Sequence, residues 1–133
     1  MVLGRLGRVL RQQTDDDLSY PQISLLFSIE RMAPVTPSAL AASEGVTAPS
    51  VTRSLERLRR LGLIDRQISA ADGRVSFIKL SLEGHEECMR IRHSRDVWLS
   101  EHLARLNANE IEELVRLIPV LRKLCDPELP ASQ

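Results

Sequence analysis

The stretch that most restricts how this chain can fold is Thr36-Pro37-Ser38-Ala39-Leu40-Ala41-Ala42-Ser43-Glu44-Gly45-Val46-Thr47-Ala48-Pro49. It holds two helix starts and one helix stop within 14 residues. Thr36 supplies a hydroxyl N-cap, and Pro37 sits where a first-turn residue has no N–H to offer. Gly45 permits a left-handed backbone, so the spacing predicts a short helix over Pro37–Glu44 that stops there. Thr47 repeats the N-cap and Pro49 again lies in a first turn. A second helix is predicted to about Leu61, with Gly62 as its stop. Two short helices joined this tightly need a small residue where they cross, a turn glycine, and apolar residues holding the second to the first. Ala41, Gly45 and Val51 meet those needs, with Leu40, Val46, Leu55 and Leu58 completing the apolar set.

Downstream the period changes. Residues 63–68 and 75–80 are short β-prone runs joined by Ser69-Ala70-Ala71-Asp72-Gly73-Arg74, which reads as a hairpin with a polar loop. Upstream, Val2, Leu3, Leu6, Val9 and Leu10 alternate with Arg5, Arg8 and Arg11 at helical period. Thr14-Asp15-Asp16-Asp17 interrupts that helix. Pro21 opens another, which carries Ile23, Leu25, Leu26, Phe27 and Ile29 and stops before Pro34. Ser81 with Glu83 starts a long helix to about Leu106; at roughly 25 residues it would reach ~37 Å. Asn107 and Glu110 have capping-box spacing for a last helix. Its Ile111, Leu114, Val115, Ile118, Leu121, Leu124 and Cys125 form an apolar stripe. Pro119 is expected to kink it, because a proline removes one hydrogen bond and crowds the preceding turn. The tail from Asp126, with Pro127 and Pro130, is expected to fray. The fold class is therefore mainly α with a small β-hairpin: a winged helix-turn-helix with additional N- and C-terminal helices.

Composition narrows the setting. A chain of 133 residues with 43% apolar content is one domain, or one small domain with extensions. It can bury about two-thirds of its unfolded surface without disulfides or metal, and it is too apolar to stay disordered. No apolar run approaches the ~18 residues of a membrane span. The start, Met1-Val2-Leu3-Gly4-Arg5, lacks the apolar core of a secretory signal. Cys88 and Cys125 fit neither a disulfide framework nor a paired metal motif. The expectation is a soluble cytoplasmic protein with no membrane partner. The 18 basic and 18 acidic residues cancel, which taken whole argues against a nucleic-acid partner. By segment the picture differs. Residues 1–49 carry a net −1, residues 50–79 a net +4, and residues 80–133 a net −3.

That basic middle coincides with the second helix of the pair and the hairpin. On a helical wheel Val51, Leu55 and Leu58 fall within about 60° of one another. The opposite side carries Pro49, Arg53, Glu56 and Arg60, flanked by Thr52 and Arg57 on one side and Ser50 on the other. The major groove of DNA admits such a helix, arginine can bond guanine bidentately, and serine or threonine can reach base or phosphate. An ordinary amphipathic helix with a solvated arginine face would carry the same residues. The hairpin tips the balance. A loop bearing Gly73 and Arg74 directly after such a helix can reach a neighbouring minor groove, where arginine gains from the concentrated negative potential. Asp72 would be repelled by phosphate if free, so its sensible role is to pair with an arginine and orient it. A plain surface turn, with Asp-Gly supplying geometry, is the alternative.

Residues 21–81 resemble the MarR family of winged-helix transcriptional regulators. The matching stretches are Pro21-Gln22, Thr36-Pro37-Ser38-Ala39-Leu40-Ala41, and Val46-Thr47-Ala48-Pro49-Ser50-Val51-Thr52-Arg53. They continue through Leu55-Glu56-Arg57-Leu58, Leu61-Gly62-Leu63-Ile64 and Asp72-Gly73-Arg74 to Leu80-Ser81, with Gly84 following. The resemblance implies an obligate homodimer whose first and last helices intertwine, with two recognition helices entering successive major grooves of a palindromic site. By motif match Ser50, Thr52 and Arg53 fall where family members touch bases and phosphates, and Arg74 falls at the wing tip with Asp72 as its buttress; the expected DNA-binding set adds Thr47, Pro49 and Arg57 from the same helix, and Gly73 supports the wing. Independently, Val2, Leu6, Val9 and Leu10 at one end and Leu117, Leu121 and Leu124 at the other suit dimerisation, since a monomer would expose them. The implied organisation is an N-terminal dimerisation segment 1–20, the winged helix-turn-helix 21–81, a linker and dimerisation segment 82–125, and a tail 126–133.

Other residues suggest little chemistry. His85, His93 and His102 are spaced by 8 and 9, which does not pair them on one helix turn, and no metal or other cofactor is expected. Glu86 and Glu87 should raise the pKa of Cys88, and Cys125 falls on the apolar stripe. The peroxide-sensing branch of the resembled family keeps its reactive cysteine near the N-terminus, where this chain has none. Tyr20 and Trp98 could line an effector pocket, though packing is their expected role. The reading is a DNA-binding regulator, most simply a repressor, with an unidentified small-molecule effector left open. A protein–protein interaction module on the same fold is the alternative. A small enzyme would need a nucleophile–base–orienter set, which the sequence does not display.

Overall fold

A computed structural model describes residues 1–12 and 17–125. The turn expected at 14–17, save Asp17, the tail from 126 and the side chain of Cys125 lie outside the described residues. The elements are α1 (Val2–Gln12), α2 (Tyr20–Met32), α3 (Pro37–Glu44), α4 (Ala48–Arg60), β1 (Ile64–Ile68), β2 (Ser76–Leu80), α5 (Leu82–Leu103) and α6 (Ala108–Cys125). They belong to two compact units, Met1–Arg95 and Asp96–Gln133, with α5 running from one into the other.

In the first unit, local signals place α3 and α4 where the sequence predicts them. The Thr36 hydroxyl accepts the Ala39 N–H at 3.2 Å, closing the α3 N-terminus. Gly45 takes φ 64° and ψ 34°, and the Val46 N–H reaches back to the Ala41 carbonyl at 3.1 Å. At the far end of α4, Gly62 turns the chain at φ 74°, and the Leu63 N–H returns to Leu58 O at 3.0 Å. Thr47 begins α4 from an extended backbone, but its side chain makes no cap bond. Val46 departs from expectation: it is 46% exposed and stands outside the apolar set. The reversal at Gly45 turns its side chain away from the crossing that Leu40 and Val51 fill.

Leu26, Ile29, Leu40, Leu58, Cys88 and Ile91 form the fully buried centre, joined by Ile23, Leu25, Val35, Val51, Ile64 and Ile78. Each such aliphatic side chain removed from water stabilises the fold by about 1.5–3 kcal/mol. The hairpin is antiparallel, pairing Ile64 with Leu80, Arg66 with Ile78 and Ile68 with Ser76. A third strand-like contact comes from Val35 between α2 and α3, which exchanges backbone bonds with Ile78 at 2.8 and 3.1 Å. The first turn of α5 is fastened to the stop of α4. Ser81 donates its hydroxyl to the Gly62 carbonyl and its N–H to Leu63 O, and its oxygen accepts the Gly84 N–H. A Cβ on Gly84 would overlap the Leu63 carbonyl oxygen, so only glycine permits this approach.

In the second unit, α5 ends at Leu103, short of the expected Leu106, because Ala104, Arg105 and Leu106 form a turn. The helix therefore spans 22 residues. Asn107 and Glu110 cap α6 reciprocally: the Asn107 N–H donates to Glu110 Oε2 at 2.9 Å and the Glu110 N–H to Asn107 Oδ1 at 3.0 Å. The helix runs continuously through Pro119.

Candidate nucleic-acid interface

The exposed side of α4 is sorted by its own ion pairs. Arg59 donates both Nε and Nη2 to the Glu56 carboxylate, at 3.2 and 2.9 Å. Arg60 adds a longer contact to Glu56 at 3.9 Å. The Arg59 bond holds the Glu56 carboxyl below its usual pKa and raises that of Arg59 in return. Two of the helix's four arginines thus share one carboxylate within the chain. Arg53 and Arg57 have no ion pair among the described residues, nor do Arg66 on β1 and Arg74 on the wing. Charge that the protein has not already neutralised is the charge available to a phosphate.

Thr47, Pro49, Thr52 and Arg53 are exposed at the start of α4, while Ser50 and Arg57 are half-buried. The Thr47 side chain, making no cap, keeps its bonding capacity. Thr52 donates its hydroxyl to the Ala48 carbonyl at 3.0 Å, which fixes its rotamer and leaves the oxygen lone pairs outward.

The wing loop is closed by the Ser69 N–H on Val75 O at 2.8 Å and by the Ser69 hydroxyl, which accepts the Ala71 and Asp72 N–H groups. Asp72 differs from expectation. Its carboxylate accepts the backbone N–H of Arg74 at 3.0 Å rather than pairing with a guanidinium. This Asx-type turn fixes where Arg74 leaves the loop and keeps its charge free. Gly73 has no positive φ, and a Cβ there would meet nothing within 4 Å, so neither backbone nor space demands glycine.

Between the start of α3, the start of α4 and the wing lies a groove of about 400 Å³ whose walls include Ser38, Thr52, Arg66 and Arg74. Neither Arg66 nor Ser38 is among the site residues the sequence points to. Arg66 has only strand period around it, and its relevance appears when β1 brings it beside Thr52. Elsewhere, Tyr20 is 53% exposed and lies under the Arg11 guanidinium at 5.0 Å. Trp98 stacks on His102 in the second unit, with centroids 3.8 Å apart. Cys88 is buried with its thiol pushed up to about 11, first by burial and then by Glu30; Glu87 contributes least. Among the described residues no His, Cys, Asp and Glu side chains gather as a metal site, and no helix is long and apolar enough to cross a membrane.

An α3–turn–α4 pair backed by a hairpin, with the Val35 bridge beside it and Arg74 on its loop, defines a winged helix-turn-helix protein. The MarR family model matches residues 16–75. An uncharacterized HTH-type transcriptional regulator of Mycobacterium bovis is 35% identical over 123 residues, 92% of this chain and 86% of that protein. The crystal structure of a putative transcriptional regulator from Pseudomonas aeruginosa superposes with TM-score 0.79 at 31% identity, covering 92% of this chain and 86% of that one. Streptococcus pneumoniae FabT, solved in complex with DNA, gives TM-score 0.67 at 25% identity over 82% of this chain and 76% of that one. The chain belongs to the MarR family. It is a helix-turn-helix transcriptional regulator and not an enzyme.

Proposed function

We propose that the protein binds a palindromic double-stranded DNA operator as a homodimer in the cytoplasm and represses transcription by occupying it. The recognition segment 47–61 lies in the major groove, where Arg53, Thr47, Pro49, Ser50 and Thr52 meet base edges and phosphates and Arg57 meets the backbone. The wing 69–74 delivers Arg74 to the adjoining minor groove, with Asp72 fixing the loop. The observation that carries this reading is the sorting of arginines. Those on the exposed start of α4 and on the wing are unpaired, whereas Arg59 and Arg60 farther along α4 are held by Glu56. A two-fold dimer calls for half-sites about one helical turn, ~34 Å, apart.

Segments 1–20 and 82–125 supply the dimer contacts in this reading. Val2 and Leu6 on α1 are 82% and 45% exposed, with Val9 and Leu10 half-buried. On α6, Leu117, Leu121 and Leu124 are 49%, 37% and 67% exposed. A small-molecule effector would act by binding preferentially to a dimer whose recognition helices are out of register.

Selection of bound sequences from a random duplex library tests the proposal. An inverted repeat should be recovered. Its affinity should fall with salt by about 0.9 in log–log slope per neutralised phosphate, and Arg53→Ala should cost ~1–3 kcal/mol and relax the preference at one base pair. Salt-independent binding, or no enrichment at low salt, would instead favour a protein-interaction module.

A further inference from the structure

Helix α4 carries a single carboxylate, and it stands on the face proposed to meet DNA. Glu56 follows Arg53 by three residues, so both project from the same exposed side of the helix. An acid there repels phosphate, and an exposed pair within one helix adds little stability. The geometry around it points to another use. Arg59 grips the carboxylate with a two-bond fork, through Nε and Nη2. Arg60 folds back toward it, its Nε 3.9 Å from the carboxylate and donating to the Glu56 carbonyl at 3.4 Å. Arg66 of β1, Glu56 and Arg59 also share the walls of a pocket of about 120 Å³ between α4 and the hairpin. The Arg59 bond, with the Arg60 and Arg66 charges nearby, holds the carboxyl below its usual pKa and so keeps it ionised. One ionised acid thus holds one guanidinium, draws back a second and has a third as neighbour. Arg59 and Arg60 are otherwise 57% and 63% exposed, well placed to reach a phosphate.

We propose that Glu56 is a specificity-determining residue of the DNA contact: by holding Arg59 and Arg60 back from phosphate, it weakens the grip on unrelated DNA more than the grip on the operator. This role deepens the regulator reading and rests on it. Binding to unrelated sequence consists almost wholly of phosphate contacts, and the protein settles wherever its cations reach most of them. At the operator, base contacts from the start of α4 fix the register, so released arginines meet only phosphates already within reach. An acid that withholds cations therefore discriminates against the wrong sequence at little cost to the right one. Glu56 acts through its arginines, which separates this role from that of a carboxylate accepting a cytosine amino group.

Full-length wild type and Glu56→Gln are compared by fluorescence anisotropy on the inverted repeat recovered by selection and on a shuffled duplex of equal length. The wild type's preference for the repeat tests the regulator reading, and the difference between the proteins tests Glu56, so the two can fail separately. Glu56→Gln should bind the shuffled duplex about tenfold tighter and the repeat no more than about threefold tighter, its salt slope on the shuffled duplex steeper by about 0.9 for each phosphate gained. Glu56→Ala gives the same reading should the first variant not fold. Removing the arginines as well, in Glu56→Gln/Arg59→Ala/Arg60→Ala, should abolish the gain, which a merely structural role for Glu56 would not produce. Selection repeated with Glu56→Gln should recover the same repeat. Equal gains on both duplexes, no gain on either, or a gain that survives loss of both arginines would overturn the proposal. A changed preference at one base pair would overturn it too, by making Glu56 a reader of bases.

Discussion

Helices α2 and α6 both carry leucines and isoleucines at helical spacing, and they meet opposite fates. Ile23, Leu25, Leu26 and Ile29 of α2 are all buried within the first unit. On α6 no described residue is buried, and Leu114, Val115, Ile118, Leu121 and Leu124 are 37–67% exposed. The unit that holds the helix-turn-helix thus carries its own core, while the apolar stripe of α6 stays exposed among the described residues. Exposed apolar surface on this scale marks an interface. Burial within the unit supports α2, whereas in the proposed dimer a second copy would cover α6.

The sharpest way to break that contrast is to charge the stripe. Leu117→Glu/Leu121→Glu should halve the mass measured by sedimentation and lower operator affinity about 10²–10⁴-fold, the usual gain from joining two binding modules. Its α2–α4 region should stay folded, read by the dispersed amide spectrum of Ile29, Leu40 and Leu58. A double variant of unchanged mass would assign the stripe to some other role. The wild type should also unfold at a temperature that rises with protein concentration, as mass action requires of a dimer.

Leu58→Ala addresses the other side of the comparison. Leu58 is fully buried at the centre of the first unit, and its truncation should cost ~2–5 kcal/mol of unfolding free energy in urea. The loss should be the same at low and high protein concentration, because the cavity lies inside one chain. A concentration-dependent loss would mean that the core, too, is completed by a partner.

These contrasts show what could be read from the chain in advance. Elements fixed by neighbours in sequence were legible: the Thr36 cap, the Gly45 reversal, the Asn107–Glu110 box and the hairpin. Each is decided by bonds spanning five residues or fewer or by strand period, and the family resemblance supplied their order. What escaped were contacts that only folding brings together. Glu30 meets Arg92 across 62 positions, and Ser81 reaches Gly62 across 19. Val46, apolar and beside the turn, has the pattern of a core residue, yet the reversal at Gly45 carries it outward. Arg95, whose buried Nε has no hydrogen-bond partner among the described residues, carries no signal in sequence, because a missing partner is visible only when the neighbours are known.

The smallest expected difference is also the most discriminating within the interface, since it sets one arginine of α4 against another two residues away. Arg57 has no ion pair among the described residues, whereas Arg59 is bonded twice to Glu56. Arg57→Ala should weaken binding almost uniformly across sequences and reduce the salt slope by about one unit, the mark of a lost phosphate contact. Arg59→Ala removes one positive charge as well, but from a side chain that bonds Glu56, so no phosphate contact is lost with it. Arg60, 3.9 Å from the same carboxylate, remains to hold it. Its operator affinity should stay within about threefold of wild type and its salt slope should not move, as expected for an exposed pair that contributes little. Fluorescence anisotropy over a salt series measures both variants. Equal losses for the two would show that pairing within the chain does not decide which arginines meet DNA. Loss at Arg57 alone would show that the contact surface runs along α4 past Glu56 to the last-turn arginine that the chain leaves unpaired.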